Sequence, residues 1–128
     1  MATLRELANE LDASDMLGHI RNFPSDLAKT WGASDSWDLS AIENATFSGV
    51  ICLGMGGSAS GGDFLSCLSD ADGCLPFVAH RGYDLPAWVS ENWLVIATSY
   101  SGNTEETLDS AEAAIGLGCS VVGLSAGG

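Results

Sequence analysis

The stretch that decides the fold is ICLGMGGSASGGD, residues 51–63, in which a short apolar run leads directly into glycines and serines. The apolar run is typical of a buried β-strand, and the glycine-rich turn is typical of a strand that leads into a helix. Gly54, Gly56 and Ala59 also satisfy the pattern G-x-G-x-x-G/A, in which the backbone approaches a pyrophosphate. The stretch therefore predicts an α/β domain whose first turn is a candidate phosphate site.

From residue 49 onwards, short apolar runs alternate with segments of helical character. The apolar runs predict strands at residues 49–53, 76–80, 93–98 and 120–124. Helices are predicted at about residues 58–68 and 104–117. Strands that alternate with helices favour a doubly wound parallel sheet with right-handed crossovers.

The chain before the first strand, residues 1–48, is predicted to be a helical segment that packs on the sheet. Apolar residues at helical spacing predict a first helix up to Leu11 and a second one that ends at Pro24, because proline interrupts a helix. A further short helix is predicted at residues 25–31. The N-terminal segment is therefore expected to cover the fold and not to carry its chemistry.

The predicted sheet domain, residues 49–128, stops in SAGG directly after its fourth strand. A parallel sheet is covered by helices on both faces, so this architecture would place another turn and helix at that point. We expect the sequence to be a fragment and the domain to be incomplete at its C-terminus.

Composition limits the class of protein. The 128 residues include 17 acidic and four basic residues, which gives a formal net charge of −13. Nucleic acid is disfavoured as a partner, because so few cations cannot neutralise a row of phosphates. No apolar run approaches the roughly 20 residues of a membrane span, and the N-terminus lacks the order of a signal peptide. We expect a cytoplasmic protein that does not bind a membrane.

The four cysteines stand at spacings that indicate neither a zinc site nor a disulfide framework. They are expected to be small buried apolar residues: Cys52, Cys67, Cys74 and Cys119. No metal is predicted.

Two polar turns are the places to look for a ligand, because open parallel sheets bind ligands beyond the carboxyl ends of their strands. The first turn, after residues 49–53, offers exposed glycine amides and serine hydroxyls. The second lies within TSYSGNTEETL, residues 98–108, and is rich in alcohols. Hydroxyls and helix-terminal amides can together satisfy the oxygens of a phosphate monoester without a cationic side chain.

Helix capping is the other interpretation of the second turn. Asn103 is expected to N-cap the following helix with Glu106 as its capping-box partner. This capping leaves Ser99, Ser101 and Thr104 unexplained, so a phosphate site is favoured beside it.

A dinucleotide site is the alternative for the first turn. An NAD site has an acidic residue about 20 residues after the glycines, whereas here His80 and Arg81 stand at the end of the second strand. Arg81 could bind the 2′-phosphate of NADP, or lie next to another substrate, and His80 is expected to have no chemical role. The hydroxyl-rich second turn favours a compact phosphate held between two turns over a dinucleotide.

These motifs resemble a known family. GMGGSASGGD (residues 54–63) and ATSYSGNTEETL (residues 97–108), with R-x-Y-x-L-P between them (residues 81–86), are similar to the N-terminal half of the bifunctional phosphoglucose/phosphomannose isomerases, which belong to the sugar isomerase (SIS) domain superfamily. The resemblance implies a flavodoxin-like three-layer sandwich. It also implies that the sugar phosphate is held by the residues Gly56, Gly57, Ser58, Ser99, Ser101 and Thr104.

The reaction that the resemblance implies is reversible isomerisation of glucose 6-phosphate or mannose 6-phosphate with fructose 6-phosphate. This chemistry needs a base that moves a proton between C1 and C2 and a group that opens the ring. In the family both groups lie in parts that would follow residue 128. The resemblance thus implies a phosphosugar-binding fragment, inactive alone, of a homodimeric enzyme without metal or redox cofactor. A noncatalytic regulatory SIS domain is the alternative function.

Overall fold

The computed structural model describes residues 3–73 and 75–128, so that the interpretation of Cys74 lies outside the described residues. The chain forms two compact units, Met1–Ala41 and Ile42–Gly128. The first unit is helical and the second contains the sheet. Packing of the N-terminal segment on the sheet stays a prediction.

The N-terminal unit contains α1 (Leu4–Leu11) and α2 (Met16–Ser34), and side-chain oxygens accept hydrogen bonds from first-turn amides of both helices, although the N-cap residue of α2, Asp15, supplies none. At α1, Thr3 Oγ1 accepts a hydrogen bond from the Glu6 amide, and the Glu6 carboxylate accepts one from the Thr3 amide, which is a complete capping box. At α2, the Asp12 carboxylate accepts hydrogen bonds of 2.8 Å from two backbone amides of the first turn. These bonds lower the pKa of the Asp12 carboxyl.

The prediction that a helix ends at Pro24 is wrong. Helix α2 continues through Pro24, and the separate helix predicted at residues 25–31 is its second half. Proline removes one amide donor from the helix, but the turns on both sides keep their own bonds.

The second unit is an α/β fold, as predicted. After the short helix α3 (Ser40–Glu43), its elements are β1 (Gly49–Leu53), α4 (Gly56–Asp72), β2 (Phe77–His80), β3 (Trp93–Ser99), α5 (Glu105–Leu117) and β4 (Ser120–Ser125). All strand pairs are parallel, and the strand order is β2-β1-β3-β4. Each strand begins and ends within one residue of its predicted bounds.

The two long helices of this unit lie on opposite faces of the sheet. On one face, Ile51, Val95 and Ala114 of α5 are completely buried together. On the other face, α4 approaches the alternate residue Cys52 so closely that a Cβ on Gly62 would lie 2.9 Å from the Cys52 Cβ. Successive residues of a strand point to opposite faces, so the fold is doubly wound. Since α4 follows β1 and α5 follows β3 in a parallel sheet, both helices begin at the carboxyl edge of the sheet.

Candidate functional site

The carboxyl ends of β2, β1 and β3 meet at Gly54. The Gly54 amide donates to the His80 carbonyl at 3.2 Å. A Cβ on Gly54 would lie 3.1 Å from the Thr98 carbonyl oxygen and 3.2 Å from the Ser58 carbonyl carbon. This close approach brings the turn after β1 against the end of β3, so the two turns singled out in the sequence are neighbours.

The first turn exposes backbone amides. Helix α4 begins at Gly56, two residues earlier than predicted, and Gly56 has a φ of +51°, a conformation that glycine adopts without strain. Gly56 and Gly57 are exposed, and Ser58 is half-buried. Because the first amides of a helix have no partner within the helix, this end presents N–H groups at the edge of the sheet.

The second turn brings its three predicted hydroxyls together. Ser99 Oγ lies 2.9 Å from Thr104 Oγ1 and 3.5 Å from Ser101 Oγ. Ser99 is buried, Thr104 is half-buried and Ser101 is exposed. The cluster is therefore anchored by Ser99 and reaches the surface at Ser101.

Two hydroxyl oxygens of this cluster accept hydrogen bonds from backbone amides, and these bonds do not use the hydroxyl protons. Ser99 Oγ accepts a hydrogen bond of 3.1 Å from the Gly102 amide, and Ser101 Oγ accepts one of 3.3 Å from the Asn103 amide. A hydroxyl has two acceptor positions and one donor. When Thr104 also donates to Ser99, both acceptor positions of Ser99 are filled and its proton can bond an external oxygen. The turn is thereby suited to an acceptor-rich ligand such as a phosphate.

The predicted capping of α5 by Asn103 and Glu106 is wrong. The N-cap residue is Thr104, whose side chain makes no capping hydrogen bond. The Asn103 side chain instead donates to the Ser101 carbonyl at 3.2 Å, because Gly102, with a φ of +73°, folds the turn back on itself. Asn103 thus stabilises the turn, and the first amides of α5 are left without a side-chain acceptor.

The helix ends at the edge of the sheet differ from those of the N-terminal unit. Carboxylates and a threonine cap α1 and α2, whereas neither Met55 at α4 nor Thr104 at α5 caps its helix through its side chain. A helix N-terminus carries a partial positive charge and unpaired N–H groups, which together attract anions. Both of these ends lie at the carboxyl edge of the sheet, and the hydroxyl cluster lies at the α5 end.

Arg81 directly follows β2, and its guanidinium is paired with a carboxylate. Its guanidinium donates through both terminal nitrogens to the carboxylate oxygens of Asp63 in α4, one of these bonds being 3.0 Å long. Arg81 lowers the pKa of the Asp63 carboxyl through these bonds. The pairing disfavours the NADP interpretation, because an arginine that binds a 2′-phosphate would have to release Asp63. His80 Nε2 lies 3.1 Å from the Asp84 carbonyl oxygen.

Sequence reasoning missed the anchor of the loop that follows β2. The hydroxyl of Ser110, completely buried in α5, lies 3.0 Å from the Gly82 carbonyl and 2.7 Å from the Asp84 carbonyl. The Asp84 amide donates to the Asp109 carboxylate at 2.7 Å. Asp84 has a φ of +56°, a conformation that is rare outside glycine. No local sequence pattern therefore indicated the conformation of this loop.

Curated proteins match the chain in sequence. A bifunctional phosphoglucose/phosphomannose isomerase of Caldicellulosiruptor bescii is 35% identical over 114 residues, which is 88% of this chain and 33% of that protein. The chain is homologous to this family of isomerases. Proteins of the same name from Thermoplasma acidophilum and Aquifex aeolicus are each 41% identical, over 69% and 64% of the chain. The resemblance seen in the sequence is confirmed.

The homology covers only part of these isomerases. The chain spans 33%, 27% and 26% of the lengths of the three relatives, or about a third at most. No family model matches the chain, and no solved structure matches it significantly.

One buried hydroxyl of this isomerase homologue does not belong to the hydroxyl cluster. Thr107, in the first turn of α5, is 4% exposed, and its Oγ1 has no hydrogen-bond partner among the described residues. Leaving a buried hydroxyl unbonded costs about 1–3 kcal/mol. Replacement by valine removes that cost at nearly equal shape and helix propensity.

We therefore expect Thr107→Val to raise the free energy of unfolding by about 1 kcal/mol, measured by urea denaturation. Thr30→Val is the matched control, because Thr30 is exposed and its hydroxyl donates to the Asp26 carbonyl. The control is expected to show no gain. A loss of stability in Thr107→Val would show that this hydroxyl is bonded in the folded protein.

The remaining features of the described residues do not belong to this edge of the sheet. Within residues 3–73 and 75–128, no group of three or more metal-binding side chains is close enough to hold an ion. A cavity of about 420 Å³ belongs to the N-terminal unit, where its polar lining residues are Arg5, Asp12, Asp15 and Arg21. None of the helices in the described part of the chain is long and apolar enough to cross a membrane.

Proposed function

We propose that this chain binds the phosphate group of a phosphosugar between the turns after β1 and β3. The proposal assigns it to an enzyme that interconverts glucose 6-phosphate or mannose 6-phosphate with fructose 6-phosphate. The observation that carries it is that two helix ends without side-chain caps lie at the same edge of the sheet, one of them beside a cluster of three hydroxyls. The names of the homologous isomerases support the reaction.

The two turns would bind complementary parts of the phosphate. The amides of Gly56 and Gly57, with Ser58, would bond oxygens from the side of α4. Ser99 and Ser101 would donate to oxygens from the side of α5, and Thr104, which donates to Ser99, would orient the Ser99 hydroxyl. The positive ends of both helix dipoles would offset the charge of the dianion, so that a chain of net charge −13 needs no cation at this position.

The proposed isomerisation also needs a base near C1 and C2 and a group that opens the ring. Glu105 and Glu106, the acidic residues next to the second turn, lie in the first turn of α5, where carboxylates stabilise a helix. We assign neither as the base. Since the chain spans about a third of its relatives, we assign both groups to the remainder of a longer, cytoplasmic and homodimeric protein.

Titration calorimetry with fructose 6-phosphate, free fructose and NADP tests this proposal. We expect the folded chain to bind fructose 6-phosphate and neither of the other two ligands, because the phosphate monoester supplies the acceptors that the turns require. Binding of NADP without binding of fructose 6-phosphate would replace the proposal with a dinucleotide site. Binding of fructose 6-phosphate by the chain, without isomerase activity in the full-length protein, would favour the regulatory alternative.

A further inference from the structure

The loop after β2 reaches the helix end that carries the second turn. The Tyr83 hydroxyl lies 3.4 Å from the Glu105 carboxylate, and Glu105 directly follows Thr104 of the hydroxyl cluster. Tyr83 is 55% exposed, so its hydroxyl remains accessible beside this contact. The phenol thus contacts a side chain of the helix end that carries the hydroxyl cluster, without belonging to either turn.

The backbone that carries Tyr83 is held firmly in place. Its two neighbours, Gly82 and Asp84, both offer their carbonyl oxygens to the buried Ser110 hydroxyl, at 3.0 and 2.7 Å. The Asp84 amide is bonded to Asp109, so both backbone groups of Asp84 are engaged. Because α5 supplies these contacts and also carries Thr104, the phenol and the hydroxyl cluster are attached to one rigid element.

The side chains around the Tyr83 hydroxyl are hydrogen-bond acceptors, whereas the two turns offer hydrogen-bond donors. The Glu106 carboxylate, desolvation, and the carboxylates of Glu105 and Asp109 raise the pKa of the Tyr83 phenol. When the phenol donates its proton to Glu105, its oxygen can still accept a hydrogen bond. Such surroundings disfavour an anion and suit a ligand that donates hydroxyl protons.

We propose that Tyr83 is a substrate-positioning residue that accepts a hydrogen bond from a sugar hydroxyl while the two turns hold the phosphate. This inference rests on the proposed function and extends it from the phosphate to the sugar. A phosphosugar has an anionic end and a polyol end, and the edge of the sheet offers donors for the first and acceptors for the second. Ser110 acts through this loop as the residue that fixes the position of Tyr83.

The test compares fructose 6-phosphate with inorganic phosphate, which lacks the sugar. We expect Tyr83→Phe to weaken binding of fructose 6-phosphate about three- to tenfold, the range for one neutral hydrogen bond, and to leave binding of inorganic phosphate unchanged. Thr30→Val is the control for loss of one hydroxyl outside both turns, since Thr30 is exposed and its hydroxyl donates to the Asp26 carbonyl. That control should bind both ligands as the parent does.

The outcomes separate this inference from the proposed function. If the parent chain binds fructose 6-phosphate and Tyr83→Phe binds it equally well, Tyr83 does not contact the sugar, and the phosphate site stands. Equal weakening of both ligands would also overturn the inference, because it would mean a general disturbance of the edge. If the folded parent binds neither ligand, the proposed function fails, and this inference fails with it.

Discussion

Replacing Ser99 and Ser101 together by alanine is expected to weaken binding of fructose 6-phosphate at least a hundredfold. A hydrogen bond to a charged acceptor contributes about 1.5–3 kcal/mol, and the double variant removes two donors. Loss of the Ser99 side chain also removes the group that lies 2.9 Å from Thr104 Oγ1, whereas the Gly102 amide keeps its bond of 3.2 Å to the carbonyl of residue 99. The remaining hydroxyl of the cluster would therefore lose its orientation as well. Calorimetric titration with fructose 6-phosphate measures the effect.

The matched control for this variant is Ser36→Ala combined with Ser66→Ala, two serines outside the turns. The control is expected to bind fructose 6-phosphate like the parent. The far-UV circular dichroism of the Ser99 and Ser101 variant must match that of the parent, so that weaker binding is not mistaken for unfolding. Unchanged affinity in a folded double variant would remove these hydroxyls from the site.

Replacing Ile51 by alanine is expected to lower the free energy of unfolding by about 2–5 kcal/mol, the usual cost of truncating a buried isoleucine. Ile51 is completely buried at the centre of the sheet, with Val95 on the adjacent strand and Ala114 of α5 above it. The truncation leaves a cavity among side chains that cannot close it, because strand pairing fixes their positions. Urea denaturation followed by far-UV circular dichroism measures the loss.

Ile115→Ala serves as the control for this prediction. Ile115 lies in α5 next to Ala114 but is 63% exposed, so its truncation removes little buried surface. Its unfolding midpoint is expected to stay close to that of the parent, since alanine is also the better helix former. Equal losses in the two variants would show that the buried face of the sheet is not the main source of stability.

The strands could be predicted from the sequence because their signal is local. A buried parallel strand is a continuous apolar run, and the run at residues 49–53 is bounded by polar residues and glycine. Gly118 ends α5 in a left-handed conformation, as the sequence indicates, because glycine adopts it without strain. Where one residue type suits one backbone conformation, the sequence is sufficient.

The helix starts and the interior proline could not be predicted in the same way. Pro24 is a strong local signal for a helix end, yet the intact turns on both sides carry α2 past it. Asn103 is a favourable N-cap residue, yet its side chain bonds the Ser101 carbonyl. In both cases bonds made by neighbouring residues outweigh the preference of the single residue.

The order of strands and helices in the sheet domain, the two polar turns and the family could all be predicted from the sequence, because each is encoded in consecutive residues. Tertiary structure alone decided which groups meet: the wedge of Gly54 between strand ends, the pairing of Arg81 with Asp63, and the anchoring of the Tyr83 loop by Ser110. Arg81 and Asp63 are 18 residues apart, and Ser110 is 28 residues from Gly82. Only the parallel pairing of β2, β1 and β3 brings such distant residues to one edge, and no local pattern encodes that distance.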